Sequence, residues 1–418
     1  MFNTLRNAWK IPDLRQKMLF TLVMLVIFRL GSFIPVPGMD TEALSRLIQS
    51  GGLLGFFNTI SGGAFDNFAI FAMSITPYIN STIIMQLLTI AIPSLEALAK
   101  EGEEGRRKIA QYTRYGTVVL ALIQALALSY GLRGYLLRTD AASIILVALS
   151  LTAGTAFLMW LGEQINEKGI GNGISLLIFA GIISRVPGGA LKIYELYKVK
   201  STNLIEIAFF LIFAIFIIMA VIFIQEGERR IPVQYAKRVV GRRMYGGQST
   251  HIPLKVNQAG VIPVIFAMSL IAFPGQIAQF FPNSGAYRFF NTYLGWGSWA
   301  HSILYALLII GFTYFYTAVT FNPIEVANNI KKYGGFIPGI RPGKPTSDFI
   351  TKSLNRITLV GAFFLAVIAI VPIFLMNFTG IKVYFGSTSL LIVVGVAMDF
   401  VKQVEAQMVM RNYQGFLK

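Results

Sequence analysis

The sequence contains no cysteine and only two histidines, and charged residues make up only 13% of its 418 residues. Without cysteine the chain cannot form a disulfide, a zinc–thiolate site or an iron–sulfur cluster. His251 and His301 lie in different segments, so we expect no histidine-based metal site and no cofactor. Soluble domains carry about 25% charged residues. The low charge therefore indicates a membrane protein.

Apolar segments long enough to cross a bilayer recur along the whole chain, in which 55% of the residues are hydrophobic. A helix needs about 17–25 apolar residues to span the hydrocarbon core. Ten such runs lie near 18–35, 69–92, 114–131, 143–161, 173–187, 204–224, 258–277, 301–320, 355–376 and 387–405. They are apolar on most faces, which favours helices over barrel strands that alternate every second residue. The sequence predicts an all-α polytopic membrane protein with ten transmembrane helices.

The distribution of Lys and Arg predicts the orientation of these helices. One alternating set of connections, which includes both termini, carries 26 of these residues when Arg114, Arg356 and Lys402 at the adjoining span ends are counted with it, whereas the other set carries eight. Cytoplasmic loops are the ones enriched in Lys and Arg. We therefore expect both termini in the cytoplasm. The first run continues through Arg29 to Pro35 without a small-residue cleavage pattern, so we expect it to be retained as a span.

Ten spans with both termini on one side divide into two groups of five. An odd number of spans in each group makes the second group enter the membrane from the opposite side, as in inverted-repeat folds. We therefore predict an N-terminal half at 1–190 and a C-terminal half at 191–418, related by pseudo-symmetry.

A short apolar segment at 51–66 precedes the second span. Its apolar part, Leu53 to Ile60, is too short to cross a bilayer, and glycines flank it on both sides. Two interpretations stay open at this point. The segment is either a re-entrant element that seats in a cavity or an interfacial helix on the membrane surface.

Isoleucines four residues apart recur in two spans. Ile79 and Ile83 share one helical face in the second span, and Ile178 and Ile182 do so in the fifth. Ordinary helix packing explains such spacing, but a ring of these side chains can also form an apolar constriction that resists water and ions.

Motifs for catalysis or ion coupling are missing from the sequence. There is no nucleophile elbow and no HExxH motif. Coupled transporters place carboxylates near the membrane midplane, whereas Glu206 and Asp399 lie toward span ends. An enzyme is not expected, and a solute transporter or small-molecule channel is the alternative interpretation.

Two cytoplasmic connections, 225–257 and 321–356, are longer than helix joining requires. Both are basic and rich in Pro and Gly. The first has strand-like runs on either side of a Gly241–Arg243 tip, which predicts a protruding hairpin. We interpret both loops as a docking surface for a cytosolic partner.

Five long strings in the loops and at the span ends are specific enough to be recognised: ERRIPVQYAKR at 228–238, STHIPLKVNQAGVIP at 249–263, GGFIPGIRPG at 334–343, EGEEGRRKIAQYTRYG at 101–116 and KGIGNGIS at 168–175. With these strings the chain resembles the SecY family, the channel-forming subunits of bacterial protein translocases. The resemblance implies a protein-conducting channel that translocates unfolded polypeptides and releases membrane helices laterally. It also implies the bacterial cytoplasmic membrane as the location.

The resemblance further implies a re-entrant plug helix at 53–66 and a pore ring of six isoleucines. The implied plug residues are Leu53, Leu54, Phe56, Phe57 and Ile60. The implied ring residues are Ile79, Ile83, Ile178, Ile182, Ile265 and Ile392. A lateral gate for signal peptides and nascent chains would lie between spans two and three on one side and seven and eight on the other.

Partners are implied by the same resemblance. The small subunits SecE and SecG would accompany the chain, the SecA ATPase or the ribosome would dock on its cytoplasmic loops, and anionic phospholipid would surround it. The docking residues implied are Lys237, Arg242, Arg243, Arg341 and Tyr413.

Overall fold

The computed structural model describes residues 2–41, 44, 58, 61–199, 203–235, 238–240, 243–245, 249–278, 284–295, 298–379 and 387–415. Helices dominate these residues, and the strands among them are confined to the two long connections. The helices are α1 (Phe2–Trp9), α2 (Pro12–Gly31), α3 (Thr76–Ala91), α4 (Pro93–Lys100), α5 (Glu103–Gly131), α6 (Ala141–Lys168), α7 (Gly173–Ser184), α8 (Val186–Lys198), α9 (Leu204–Glu226), α10 (Ile262–Ala278), α11 (Gly285–Tyr293), α12 (Trp299–Thr320), α13 (Pro323–Lys332), α14 (Lys344–Thr379) and α15 (Ser387–Gly415). A short 3₁₀ helix covers Arg133–Tyr135.

Each of the ten predicted spans coincides with a helix, namely α2, α3, α5, α6, α7, α9, α10, α12, α14 and α15. Within the described ranges, five helical stretches are long and apolar enough to cross a bilayer: Ala141–Lys168, Gly173–Glu195, Leu204–Glu226, Trp299–Lys332 and Lys344–Val371. The pair α3 and α4, bent by 100°, would make a sixth. The chain is thus a multi-pass helical membrane protein, and the count of ten stays a prediction.

The second span starts later than the hydropathy suggests. Residues 69–75 form turns, and the helix begins only at Thr76. Ser74 has a φ of +53°, in the left-handed region that a helix does not continue through. Pro77 then lies in the first helical turn, where its missing N–H is not needed. Residues 61–75 are mostly buried, and Ala64, Ala69, Phe71 and Ile75 belong to an apolar cluster that also contains residues of the helices.

The helices pack into two groups, and some helices of each group contact helices of the other. In the first group, α6 contacts α2, α3, α5 and α7. In the second, α14 contacts α9, α12 and α15, and α12 contacts α10. Between the groups, α3 and α5 pack against α10, and α7 packs against α15. The division at residue 190, which lies inside α8, and the inverted symmetry of the two halves stay predictions.

The two long connections form one small domain. Strands β1 (Glu228–Tyr235) and β4 (Ser249–Lys255) pair antiparallel, with Ile231 opposite Ile252. Strand β5 (Gly335–Phe336), from the other connection, pairs with the end of β1. A second hairpin joins β2 (Arg238–Val240) to β3 (Arg243–Tyr245). The apolar core beneath the sheet contains Ile231, Val233, Leu254, Ile330, Ile337, Ile350 and Leu354.

Candidate functional site

The isoleucines at helical spacing face inward on α3 and α7. Ile79 and Ile83 are 6% and 3% exposed, and Ile178 and Ile182 are 3% and 2% exposed. Their chain neighbours Ile84 and Ile183 are each 41% exposed. The four-residue spacing thus places all four isoleucines in the interior, whereas Ile84 and Ile183 lie at the outer surface.

The second group of helices contributes the remaining two predicted ring residues. Ile392 on α15 is 3% exposed, and Ile265 on α10 is half-buried. Five of the six isoleucines belong to a single large apolar cluster, and Ile265 packs against it. The cluster also contains residues of α2, α6, α9, α12 and α14, so it spans both groups of helices. The ring itself stays a prediction.

A cavity of about 210 Å³ adjoins this apolar cluster. Its lining comes from the start of α7, the approach to α10, and α15. Leu176, Val261 and Val396 belong both to the cavity wall and to the cluster. Asp399 and Gln403 add polar groups to the lining. The interior therefore changes from apolar to polar along α15.

Buried polar atoms occur on α3 and α5, the two helices of the first group that pack against α10. Asn80 on α3 and Gln124 on α5 are each 5% exposed. Among the described residues, the Asn80 Nδ2 and both amide atoms of Gln124 have no hydrogen-bond partner. Unpaired buried polar atoms destabilise the packing around them.

The five predicted plug residues, Leu53, Leu54, Phe56, Phe57 and Ile60, lie outside the described residues. A compact turn comes directly after them in the chain. The Gly63 N–H and the Ser61 hydroxyl donate to the carbonyl of Asn58, at 2.9 and 3.2 Å. The Asp66 N–H donates to the Asn58 side-chain oxygen at 3.0 Å. Asn58, which is 4% exposed, thus organises the end of the predicted plug segment.

Two arginines within predicted spans hold this turn. Arg29 on α2 donates to the Gly62 carbonyl at 2.6 Å and to the Ser184 hydroxyl at 3.2 Å. Arg185, directly after α7, forms an ion pair with Asp66. Neither contact was predicted from the sequence. The sequence did indicate that partners exist, because an arginine inside an apolar span is costly unless its charge is paired.

The docking residues are described to different extents. Arg341 is exposed and lies between Gly339 and Gly343, whose φ values are +80° and +104°. The hydroxyl of Thr346, which is 1% exposed, donates to the Arg341 carbonyl at 2.9 Å. The loop carrying Arg341 is thus tied to the first turn of α14.

The other predicted docking residues are described less completely. Lys237 and Arg242 lie outside the described residues. Arg243 begins β3 and Tyr413 lies near the end of α15, but only their backbone is described.

Comparison with known sequences matches a SecY family model to residues 69–401. The protein translocase subunit SecY of Halalkalibacterium halodurans is 52% identical over the full length of both chains. The subunit of the same name in Escherichia coli K12 is 46% identical, covering 97% of this chain and 94% of that one. The chain belongs to the SecY family. The resemblance noted in the sequence strings is confirmed.

Solved structures share the fold. A protein-conducting channel superposes with a TM-score of 0.69 at 21% identity, covering 95% of this chain and 93% of that one. Sec61 from a canine ribosome–channel complex of the endoplasmic reticulum gives a TM-score of 0.65 at 19% identity with the same coverage. Together with SecY family membership, this fold confirms the predicted role as a protein-conducting channel subunit.

Proposed function

We propose that the chain forms a gated pore for unfolded polypeptides, closed at rest by the six isoleucines and by the 53–66 plug. The observation that supports this proposal is that the six isoleucines of α3, α7, α10 and α15 belong to, or pack against, one buried apolar cluster in the interior of the helix bundle. Aliphatic side chains present no fixed polar partner. They can therefore let varied residues pass without binding any of them tightly, and they exclude ions when the pore is empty.

In this proposal, lateral release takes place between α3 and α5 on one side and α10 and α12 on the other. The contacts of α3 and α5 with α10 join the two helix groups, whereas the contact of α10 with α12 lies within one group. Separating them would open the bundle toward lipid, so that signal peptides and nascent membrane helices could leave sideways. The unpaired amide atoms of Asn80 on α3 and Gln124 on α5 lower the stability of these two helices in the closed bundle, which supports a gate at this place.

The cytoplasmic sheet is the proposed docking surface for the SecA ATPase or the ribosome. Both long connections contribute strands to it, so a partner that binds one connection also acts on the other. Arg341 and the basic hairpin would pair with acidic patches on SecA or with ribosomal RNA phosphates. Phosphate contacts of this kind weaken as salt rises. Sec61 in the canine complex is bound to a ribosome.

The chain itself supplies no hydrolytic chemistry in this proposal. Energy comes from the bound ATPase, from translation or from the membrane potential. SecE would clasp the two halves and SecG would accompany them, in a bacterial cytoplasmic membrane with both termini in the cytoplasm. The excess of Lys and Arg in one set of loops supports that orientation and favours anionic phospholipid.

Protease protection in vesicles tests the proposal. The chain is reconstituted with SecE and SecG, and an unfolded polypeptide bearing a signal sequence is added with SecA and ATP. We expect ATP-dependent protection of the polypeptide and none when ATP is omitted. Absence of protection, with SecA demonstrably bound, would overturn the polypeptide-channel proposal and favour a solute channel.

A further inference from the structure

The N-terminal helix α1 joins the two groups of helices at a second place. It packs against α2 of the first group and against α15 of the second. The Thr4 hydroxyl on α1 donates to a carboxylate oxygen of Glu405 on α15 at 3.0 Å. The buried apolar side chains at this place are Ala8, Leu14, Ile170 and Val404. We call these six residues the α1–α15 contact, which fastens α15 to the first group.

The loop between α6 and α7 contacts both α2 and α15 at this place. The Ile170 N–H donates to the Thr21 hydroxyl on α2 at 3.1 Å, and that hydroxyl donates to the Lys17 carbonyl at 3.0 Å. Gly171 has a φ of +97°, and a Cβ added to it would come within 3.1 Å of a ring carbon of Phe400 on α15. A residue without a side chain is what allows this close approach. The loop therefore links α2 to α15.

The contacts between the two groups differ in how their buried polar atoms are paired. On α3 and α5, which pack against α10, amide atoms of Asn80 and Gln124 lack hydrogen-bond partners among the described residues. Beside the α1–α15 contact, the Thr21 hydroxyl both donates and accepts a hydrogen bond. Unpaired buried atoms destabilise the packing around them, which favours separation at α3 and α5 over separation at α15. Two bodies that separate at one contact and keep another turn about the contact that is kept.

A cavity beside the α1–α15 contact gives α15 room to turn. The cavity of about 210 Å³ lies between the start of α7 and α15, with Leu176 and Val396 in its wall. Phe400 also lines the cavity, and it packs against the apolar cluster of the α1–α15 contact. Protein interiors are otherwise close-packed, so helices change their angle most easily where such space exists. The helix α15 can therefore tilt against α7 while it keeps its contact with α1.

We propose that α1 is a strap that holds α15 on the first group, and that the α1–α15 contact is the pivot on which the two groups turn when the gate opens. The inference rests on the proposed function, because it takes the contact of α3 and α5 with α10 as the place of opening. With the strap in place, force on the second group separates α10 from α3 and α5. With the strap released, the same force moves α15 away from α1, so the gate opens less often and transport slows.

A cross-link through the α1–α15 contact tests the pivot. The chain contains no cysteine, so Thr4→Cys/Glu405→Cys, reconstituted with cysteine-free SecE and SecG, offers two thiols to a short bifunctional reagent. The reagent is quenched before SecA, ATP and a polypeptide with a signal sequence are added. A pivot stays closed during opening, so the rate of protease protection should stay within about twofold of the rate without the reagent.

Release of the strap provides the second test. Ala8→Glu places a carboxylate at a fully buried position of α1, and we expect the transport rate to fall about fivefold. Asn7→Glu is the matched control, because Asn7 is exposed and adds the same charge one residue earlier. In the Ala8→Glu background, cross-linking Thr4→Cys/Glu405→Cys should restore the rate, since the covalent link replaces the strap. A variant whose channel is merely unstable would not recover in this way.

Three results would overturn the inference. Loss of transport on cross-linking the Thr4→Cys/Glu405→Cys chain would show that α1 and α15 must separate. Transport by Ala8→Glu at the rate of Asn7→Glu would show that the strap is not needed, and a slow Ala8→Glu chain that complete cross-linking does not restore would show that it acts in another way. Protease protection by the original chain is measured in parallel. If that protection is present, these results remove the pivot and leave the channel function standing, whereas its absence removes the proposed function itself.

Discussion

Gly62 lies so close to Gly181 that a Cβ added to Gly62 would come within 2.7 Å of the Gly181 Cα. Gly62 also has a φ of +66°. Gly62→Ala should therefore push the turn away from α7 and lower the thermal stability of the protein in detergent. Gly38→Ala is the matched control, because Gly38 has a φ of +92° but open space around it. We expect Gly62→Ala to cost about 1–3 kcal/mol more than the control. Equal melting midpoints would show that the contact does not constrain the turn.

Polar substitution of the buried isoleucines should loosen the resting channel. Ile83→Asn and Ile182→Asn place an amide where the cluster excludes water, so we expect the resting ion conductance to rise on the order of tenfold, as for about 1.4 kcal/mol less barrier. The controls are Ile84→Asn and Ile183→Asn, one residue along and facing outward. Planar-bilayer recordings measure the effect. A rise in both control variants as large as in the buried ones would remove support for the ring.

The sequence predicted the helices well because a bilayer imposes one simple requirement on them. An apolar run of sufficient length must form a helix, and four-residue spacing must share a face. The shared face of Ile79 and Ile83 could therefore be predicted without any knowledge of the fold. The late start of α3 was missed, because hydropathy does not register the positive φ of Ser74 that precedes it.

The two arginines within spans indicated that buried partners exist, but no sequence pattern could identify those partners. Arg29 lies 33 residues from Gly62 and 155 residues from Ser184 in the sequence, and Arg185 lies 119 residues from Asp66. Only the packing of α2 and α7 brings them together. The pairing of Gln234 with Phe336 is similar, since the sequence predicted two basic loops but not that they share a sheet.

Arg341→Glu should impair transport driven by SecA or the ribosome. The exposed guanidinium would be replaced by a carboxylate that repels acidic partner groups or phosphates. We expect about a tenfold loss of apparent SecA affinity, the effect of about 1.4 kcal/mol. Protease protection as a function of SecA concentration measures this, and channel levels in the membrane should be unchanged. Lys352→Glu is the control, as an exposed cation of the same connection. Normal transport at limiting SecA would contradict a docking role for Arg341.

We expect Thr346 to affect SecA binding by positioning Arg341, and not by contacting SecA itself. Its hydroxyl is buried and donates to the Arg341 carbonyl at 2.9 Å, so it holds the loop between Gly339 and Gly343 in one conformation. Thr346→Val removes the donor while keeping the shape, and we expect apparent SecA affinity to fall about fivefold for one lost hydrogen bond. Thr346→Ser keeps the donor and should restore the affinity. In the Arg341→Glu background the Thr346→Val change should add little further loss, because the group that it positions is already absent. Independent losses in the double variant would show that Thr346 stabilises the domain without positioning Arg341.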